Sequence, residues 1–317
     1  MAMRGLRLVL SACSVLVVGM AHASFDLSLV TDAGTNSVHR IDPITNAYLG
    51  SFGGGILSNP RGIAINQSLQ RAYILDATSR VSVWNYNTGE FVSSFNANLS
   101  GASFLTANSD GTLNVAGSST VRRYSVTGST LATYTRSGTL NVQQGILLQD
   151  GQFYMSTRTG DSRALERFNY TTGAFIGSSS WLADRMIPMS GSFDASPSAN
   201  ALNAFAFLGS AVVELDVINN GPSSTVATST QLIDTVVGVA EGHGSMSFVL
   251  GRDKNTPTRG GIVRFDRNTL TFGPTLAGTA NIVNPTGLAN VVAPEPGTVI
   301  AVGVGLAALA RRRRPRV

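Results

Sequence analysis

The chain reads as an all-β fold made from one four-stranded unit repeated around the molecule. Three observations predict it: a strand–turn–strand segment that recurs six times, two apolar runs ahead of most copies, and turn residues between the runs. The recurring segment is VHRIDPITNAYLGSF from Val38, VSVWNYNTGEFVSSF from Val81, VRRYSVTGSTLATY from Val121, LERFNYTTGAFIGSS from Leu165, VVELDVINNGPSSTV from Val212 and IVRFDRNTLTFGPTL from Ile262. Successive copies start 43, 40, 44, 47 and 50 residues apart.

Each copy has the same internal logic. Its fourth residue is always apolar: Ile41, Trp84, Tyr124, Phe168, Leu215 and Phe265. Its fifth is short and polar: Asp42, Asn85, Ser125, Asn169, Asp216 and Asp266. Short polar side chains bond back to nearby backbone N–H groups, so this position is expected to start the hairpin turn.

The run just before each copy is LSLVTD, RAYILDA, LNVAGS, QFYMSTR, AFAFLGS or SFVLGRD. Further upstream lie NPRGIAIN from Asn59, ASFLTAN from Ala102, QQGILLQ from Gln143, MSGSFDA from Met189 and VVGVAEG from Val236. Pairs such as Asp110-Gly111 and Asp150-Gly151 supply tight turns between them. Ala199 to Phe207 has a helix-compatible composition, but its place in the repeat argues for strand.

Four strands in about 45 residues is the period of a propeller blade. The first copy lacks its upstream strand, while NPTGLAN from Asn284 repeats NPRGIAIN from Asn59. A C-terminal strand that completes the first blade closes the ring and removes two exposed edges. The expectation is a six-bladed β-propeller, or seven blades if Gly177 to Pro188 holds further strands.

Charge separates the middle of the chain from its ends. The 317 residues carry 23 Lys+Arg and 18 Asp+Glu, but the stretch 25–293 holds 16 of the former and 17 of the latter. The basic excess belongs to the termini, which argues against a nucleic-acid surface and for membrane orientation.

At the start, Arg4 and Arg7 precede the apolar run Leu8 to Met20, and Ala21-His22-Ala23 has the small-x-small form of a cleavage site. Residues 1–23 read as a signal peptide, with the mature chain starting at Ser24. A rival reading takes Leu10-Ser11-Ala12-Cys13 as a lipoprotein box. Under the first reading the one cysteine leaves with the leader, and the mature domain, 24–293, has no disulfide.

At the other end, Pro294-Glu295-Pro296 is followed by thirteen uncharged residues and then Arg311, Arg312, Arg313 and Arg314. The prolines bar a helix from starting upstream. The uncharged run can be helical in lipid, and the arginines hold their end on the cytoplasmic side. A helix of that length spans about 20 Å, short of a bilayer core of about 30 Å, so residues 294–317 read as a weak or temporary anchor.

This order of parts resembles the PEP-CTERM sorting tail of exported bacterial proteins. The resemblance implies an exosortase as partner, cutting near the Pro-Glu-Pro motif, and delivery to the envelope or extracellular matrix. Matrix polysaccharide or surface proteins are the partners it suggests. The strand openings Asn59 to Asn66 and Asn284 to Asn290 are similar to those of NHL and YVTN-type propellers.

Few residues in the middle of the chain point to catalysis. His39 and His243 are the only histidines after the leader, and neither sits in a metal-binding spacing. His39 reads as structural. Asp110 is a single acid in a turn, far from a calcium loop. Arg122 and Arg123 should point to opposite faces of one strand. No cofactor and no metal is expected.

Propellers that bind ligands do so at the channel mouth. Asn59, Arg61, Asn284 and Glu241 are expected near one mouth, with His243 between flanking glycines as a further candidate. The reading is a non-enzymatic binding or scaffolding module. The alternative is a propeller lyase or lactonase-type hydrolase with its site at the mouth.

Overall fold

A computed structural model describes residues 26–291, apart from position 109 and the segments 136–140, 148–150, 160–161, 181–184, 189–202, 209–210, 217–223, 229–231, 242–245, 254–258, 267–268 and 277–280. The expected signal peptide, its cleavage residues Ala21, Ala23 and Ser24, the tail residues 294–317 with the short helix expected there, and His243 all lie outside these residues. Leu27–Val291 forms one compact unit.

The described strands follow the repeat. β1 (Leu27–Asp32), β2 (Ser37–Ile41) and β3 (Tyr48–Phe52) are followed by β4 (Pro60–Asn66), β5 (Arg71–Asp76), β6 (Arg80–Asn85) and β7 (Phe91–Asn96). Next come β8 (Phe104–Ala107), β9 (Leu113–Ala116), β10 (Thr120–Tyr124) and β11 (Thr130–Thr135). β12 (Asn141–Leu147), β13 (Gln152–Thr159), β14 (Ser162–Asn169) and β15 (Phe175–Ser180) follow. Then β16 (Arg185–Pro188), β17 (Asn203–Leu208), β18 (Ala211–Asp216) and β19 (Ser224–Thr228). The last described strands are β20 (Leu232–Glu241), β21 (Met246–Asp253), β22 (Gly260–Asp266), β23 (Thr271–Thr275) and β24 (Pro285–Val291).

Among the described residues these strands form six four-stranded antiparallel sheets in a propeller arrangement. Five sheets carry described side chains; for β16–β19 only the backbone pairing is described. Five sheets use consecutive strands, and the remaining one has the order β24-β1-β2-β3. β24 pairs antiparallel with β1, from Leu27 opposite Val291 to Asp32 opposite Pro285, with a bulge at Thr31/Asp32. The C-terminal strand thus completes the first sheet.

Two details differ from the sequence reading. The first strand of the β16–β19 sheet lies at Arg185–Pro188, ahead of the expected MSGSFDA run. Gly177 to Pro188 spans the end of β15 and all of β16, which belong to two successive sheets. It therefore adds no further sheet among the described residues.

The repeated apolar position builds the core. Ile41, Trp84, Tyr124, Phe168 and Phe265 are all buried, and each large side chain so placed stabilises the fold by about 1.5–3 kcal/mol. Opposite three of them stand aromatic residues of the outermost strand: Phe91 across from Trp84, Phe175 from Phe168 and Phe272 from Phe265. Their rings meet at centroid distances of 5.3, 5.5 and 5.0 Å.

The polar position that follows makes the turn, as expected. The Asp42 carboxylate accepts from the N–H groups of Ile44 and Thr45, and the Asn85 side chain from those of Asn87 and Thr88. Ser125 does the same for Thr127 and Ser129, and Asn169 for Thr171 and Thr172.

Glycine sets how closely the first strands of neighbouring sheets approach. A Cβ on Gly62 of β4 would lie 2.9 Å from the Leu105 backbone nitrogen of β8. One on Gly238 of β20 would lie 2.7 Å from that of Leu288 in β24, and one on Gly287 of β24 would lie 3.3 Å from Gly62 Cα. The same strand position, bare of side chain, lets β20, β24, β4 and β8 nest in succession. β8 is next to β12, β12 to β16 and β16 to β20, which returns the series to its start.

Candidate functional site

The innermost strands start at one end of the molecule, and β24 joins β1 there. Four polar contacts tie it to the first sheet, one near its end at Asn290 and three at its start. Ser28 Oγ donates to Asn290 Oδ1 (2.8 Å), Ala33 N to the Asn284 carbonyl (2.9 Å), and Val283 N and Asn284 N to the Asp32 carboxylate (2.7 and 2.9 Å).

Asp32 ends β1 and is fully buried. Gly34 N at 2.7 Å and His39 Nε2 at 3.1 Å complete its shell. Four bonds match the roughly four acceptor directions of a carboxylate, so no direction remains for a ligand. Burial works against its charge, but the hydrogen bond from His39 and those from the backbone of Val283, Asn284 and Gly34 outweigh it. Its carboxyl is held well below the usual carboxylate range.

Asp76 stands at the matching end of β5 and shows what the position does elsewhere. It accepts from Thr78 N at 2.9 Å and Arg80 Nε at 3.1 Å, and so organises only its own turn. In the first sheet the same residue type holds the far end of the chain instead.

His39 is buried beside Asp32. Its Nε2 also lies 3.2 Å from Thr35 Oγ1, and its Nδ1 is 3.1 Å from Tyr48 Oη. Both nitrogens are occupied within the first sheet. The structural reading of this histidine agrees with its surroundings.

Arg61 and Thr286 occupy the same strand position, one residue before the nesting glycine. Arg61 Nη1 donates to the Ala102 carbonyl at 3.1 Å, and Thr286 Oγ1 to the Pro60 carbonyl at 2.6 Å. Each ties one innermost strand to the start of the next. Asn59 takes a left-handed backbone (φ 49°), and its N–H donates to Asn36 Oδ1 at 2.6 Å.

A second tie recurs farther out, at the third residue of the repeated segment. Arg40 Nη1 donates to the Asn87 carbonyl at 2.8 Å, and Arg123 Nη1 to the Tyr170 carbonyl at 3.3 Å, with its guanidinium 4.1 Å from the Tyr170 ring centroid. Arg264 Nη2 donates to the Pro43 carbonyl and, at 3.0 Å, to Asn46 Oδ1. Each arginine grips the hairpin turn of the following sheet, and Arg264 carries the series from the last sheet to the first. Arg122 reaches the other way, to the Ala97 and Asn98 carbonyls, so the two neighbouring arginines diverge as expected.

The structure brings together Asn59, Arg61 and Asn284 at one end of adjacent strands. Glu241 is not with them. Gly238 of β20 occupies the place of Gly62 and Gly287, pairing Leu250 as Gly62 pairs Leu75. Glu241 therefore lies three residues beyond this glycine, whereas Asn59 lies three before its own. The innermost strands run the same way, so the two ends stand about 20 Å apart. Among the described residues no group of three or more His, Cys, Asp or Glu could hold a metal ion.

The sequence reading missed Asp32, Thr286 and the arginine ties. The arginines left a signal: Arg40, Arg123, Arg167 and Arg264 share one position in the aligned copies. Asp32 left none, because its partners lie some 250 residues away in the chain.

Comparison with known proteins adds two facts. Residues 292–314 match the PEP-CTERM protein-sorting motif, which marks an exported chain handled by an exosortase and held at the envelope by its C-terminal tail. A protein of unknown function from Bacteroides caccae, known from a crystal structure, is similar in fold, with a TM-score of 0.65 and 11% identity over 84% of this chain and 99% of that one. That likeness concerns the fold alone. No curated protein matches the chain.

Proposed function

We propose that this protein is a non-catalytic binding or scaffolding module, a six-bladed ring delivered to the cell envelope or its extracellular matrix by its sorting tail. The observation that carries the reading is the sorting motif at 292–314, which begins one residue after β24 ends. The six sheets, with β24 nested between β20 and β4, support a count of six blades.

The buried polar groups support a binding role over a catalytic one. Asp32 and His39 spend their bonding directions on the fold, and Arg61 is tied to Ala102. Glu241 stands at the opposite strand end from these groups. Envelope or matrix components are then the partners, met through outer surfaces.

Replacing Arg311 to Arg314 with serine tests the delivery step. The arginines set the orientation of the tail, so their loss should shift the protein from the membrane fraction and alter its processing. Fractionation together with mass spectrometry of both mature termini reads this out. Identical fractionation and termini in wild type and variant would reject the reading.

A further inference from the structure

A bulge recurs where the outermost strands begin, and it leaves one residue there without an opposite number. In β7 that residue is Val92, between Phe91 opposite Trp84 and Ser93 opposite Val83. In β11 it is Leu131, and in β15 it is Ile176. All three are apolar and exposed, at 44%, 48% and 48%. A single exposed apolar side chain is ordinary, but these stand at one level of three different sheets.

That level is the end of the molecule where β24 finishes. Asn290, Ser28, Ile41 and Tyr48 stand in one row across the first sheet. The hairpin turns that lead into the outermost strands are therefore at the end where Val291 lies. Ile44 is 67% exposed in the first of these turns, and Leu69 is exposed in the β4–β5 turn at the same end. Of the ten large apolar residues exposed among those described, only Ile56 and Val283 lie at the other end, just ahead of β4 and β24. The polar side chains of these turns, such as Asp42, Asn85 and Asn169, are bonded to their own turn backbone.

We propose that this end of the propeller rests on a lipid surface while the tail is inserted, with its exposed apolar side chains entering the headgroup boundary. The inference rests on the sorting-tail reading and gives the ring its own part in envelope attachment. The occupant follows from where the described strands end. Residues 292–297 alone separate β24 from the uncharged run that begins at Thr298. Six extended residues reach about 20 Å at most, so a bilayer that takes up the tail is brought within that distance of this end.

Interfacial contact asks for little depth. Apolar side chains enter the boundary by about 5–10 Å, and attachment strengthens with the apolar area buried. Charge gives no help at this end, where Glu90 is exposed in the β6–β7 turn and would meet anionic headgroups unfavourably. The lipid that fits is therefore neutral, and salt should not weaken the contact. A second copy or another protein would have to find this face by diffusion, whereas the tail carries the bilayer to it.

The test uses the exported chain, tail included, with Cys13 replaced by serine, in phosphatidylcholine vesicles that carry a nitroxide-labelled lipid. The nitroxide sits just below the headgroup, and single cysteines bear a polarity-sensitive fluorophore. In Val92→Cys, Leu131→Cys and Ile176→Cys the emission should shift to the blue and be quenched, equally at low and high salt. In Ile56→Cys and Val283→Cys, at the far end, it should do neither. Leu306→Cys reports insertion of the tail. Quenching at Leu306 with none at Val92, Leu131 and Ile176 would overturn the inference and leave tail delivery standing. A blue shift at Val92 without quenching would overturn it in favour of a protein partner or a second copy. Equal quenching at both ends, or quenching lost in high salt, would also overturn it. No quenching at Leu306 would overturn both this inference and the delivery reading.

Discussion

Asp32 ties the two ends of the described strands together with a single side chain. It is buried, bonded on both oxygens, and joins positions 32 and 283–284. Removing it would leave four donors without their acceptor, and one buried donor left unsatisfied costs about 1–3 kcal/mol. Its depressed carboxyl also fixes a sign with pH. The stabilisation is complete above the unfolded value of about 3.9 and is lost as pH falls below it. Thermal melts of the wild type should therefore fall ever more steeply as the pH drops below about 4. Asp32→Asn should melt lower at neutral pH and show a shallower fall. A residual slope will remain, because hydrogen bonds outweigh burial at Asp42 and Asp110 too and hold both carboxyls below their ordinary range. An unchanged slope in Asp32→Asn would show that its charge does not hold β24. Nothing near residue 32 signals this role, since there the acid reads as one more turn residue like Asp76. Only the arrival of residues 283–284 distinguishes the two.

The strands and their turns were legible because period and turn chemistry act over a few residues. Asn85, Ser125 and Asn169 bond the N–H groups two to four residues on, so the repeat displays its own cause. The β16–β19 sheet was harder to place, and its first strand was expected too late, because Arg185–Pro188 lacks the glycine that marks β4, β20 and β24. That glycine has a definite task. In Gly62→Ala the new Cβ would meet the Leu105 backbone nitrogen at 2.9 Å, so β4 or β8 must shift. Overpacking of this kind costs about 1–3 kcal/mol. Gly54→Ala is the control, since a Cβ there has open space around it. Denaturant midpoints should drop for the first variant and stay level for the second. Equal midpoints would mean that the innermost strands are not nested as tightly as the glycine contacts require.

A ring closed by its last strand ties stability to the two ends of one chain. β24 pairs with β1, nests against β20 and β4, and is gripped by Asp32, while Arg264 fastens the last sheet to the first from outside. Apart from the β20 contact, these join residues more than 200 positions apart, so the loop-closure entropy is met once and offset by many bonds. Closure was readable in the sequence because NPTGLAN repeats NPRGIAIN. The arginines at the third position of the repeat were visible, but what they fasten was not, because each reaches into a different copy. Deleting Asn284 to Asn290 should expose the edges of β1 and the flanks of β20 and β4 together, and lower the melting temperature sharply. Deleting 292–317 instead should leave it unchanged, because every closing contact described lies before residue 292. The pair of melting curves separates closure by β24 from a mere effect of shortening the chain. If the first deletion melts like the wild type, the sheets hold together without the C-terminal strand, and the sorting tail would be attached to a segment that the ring does not need.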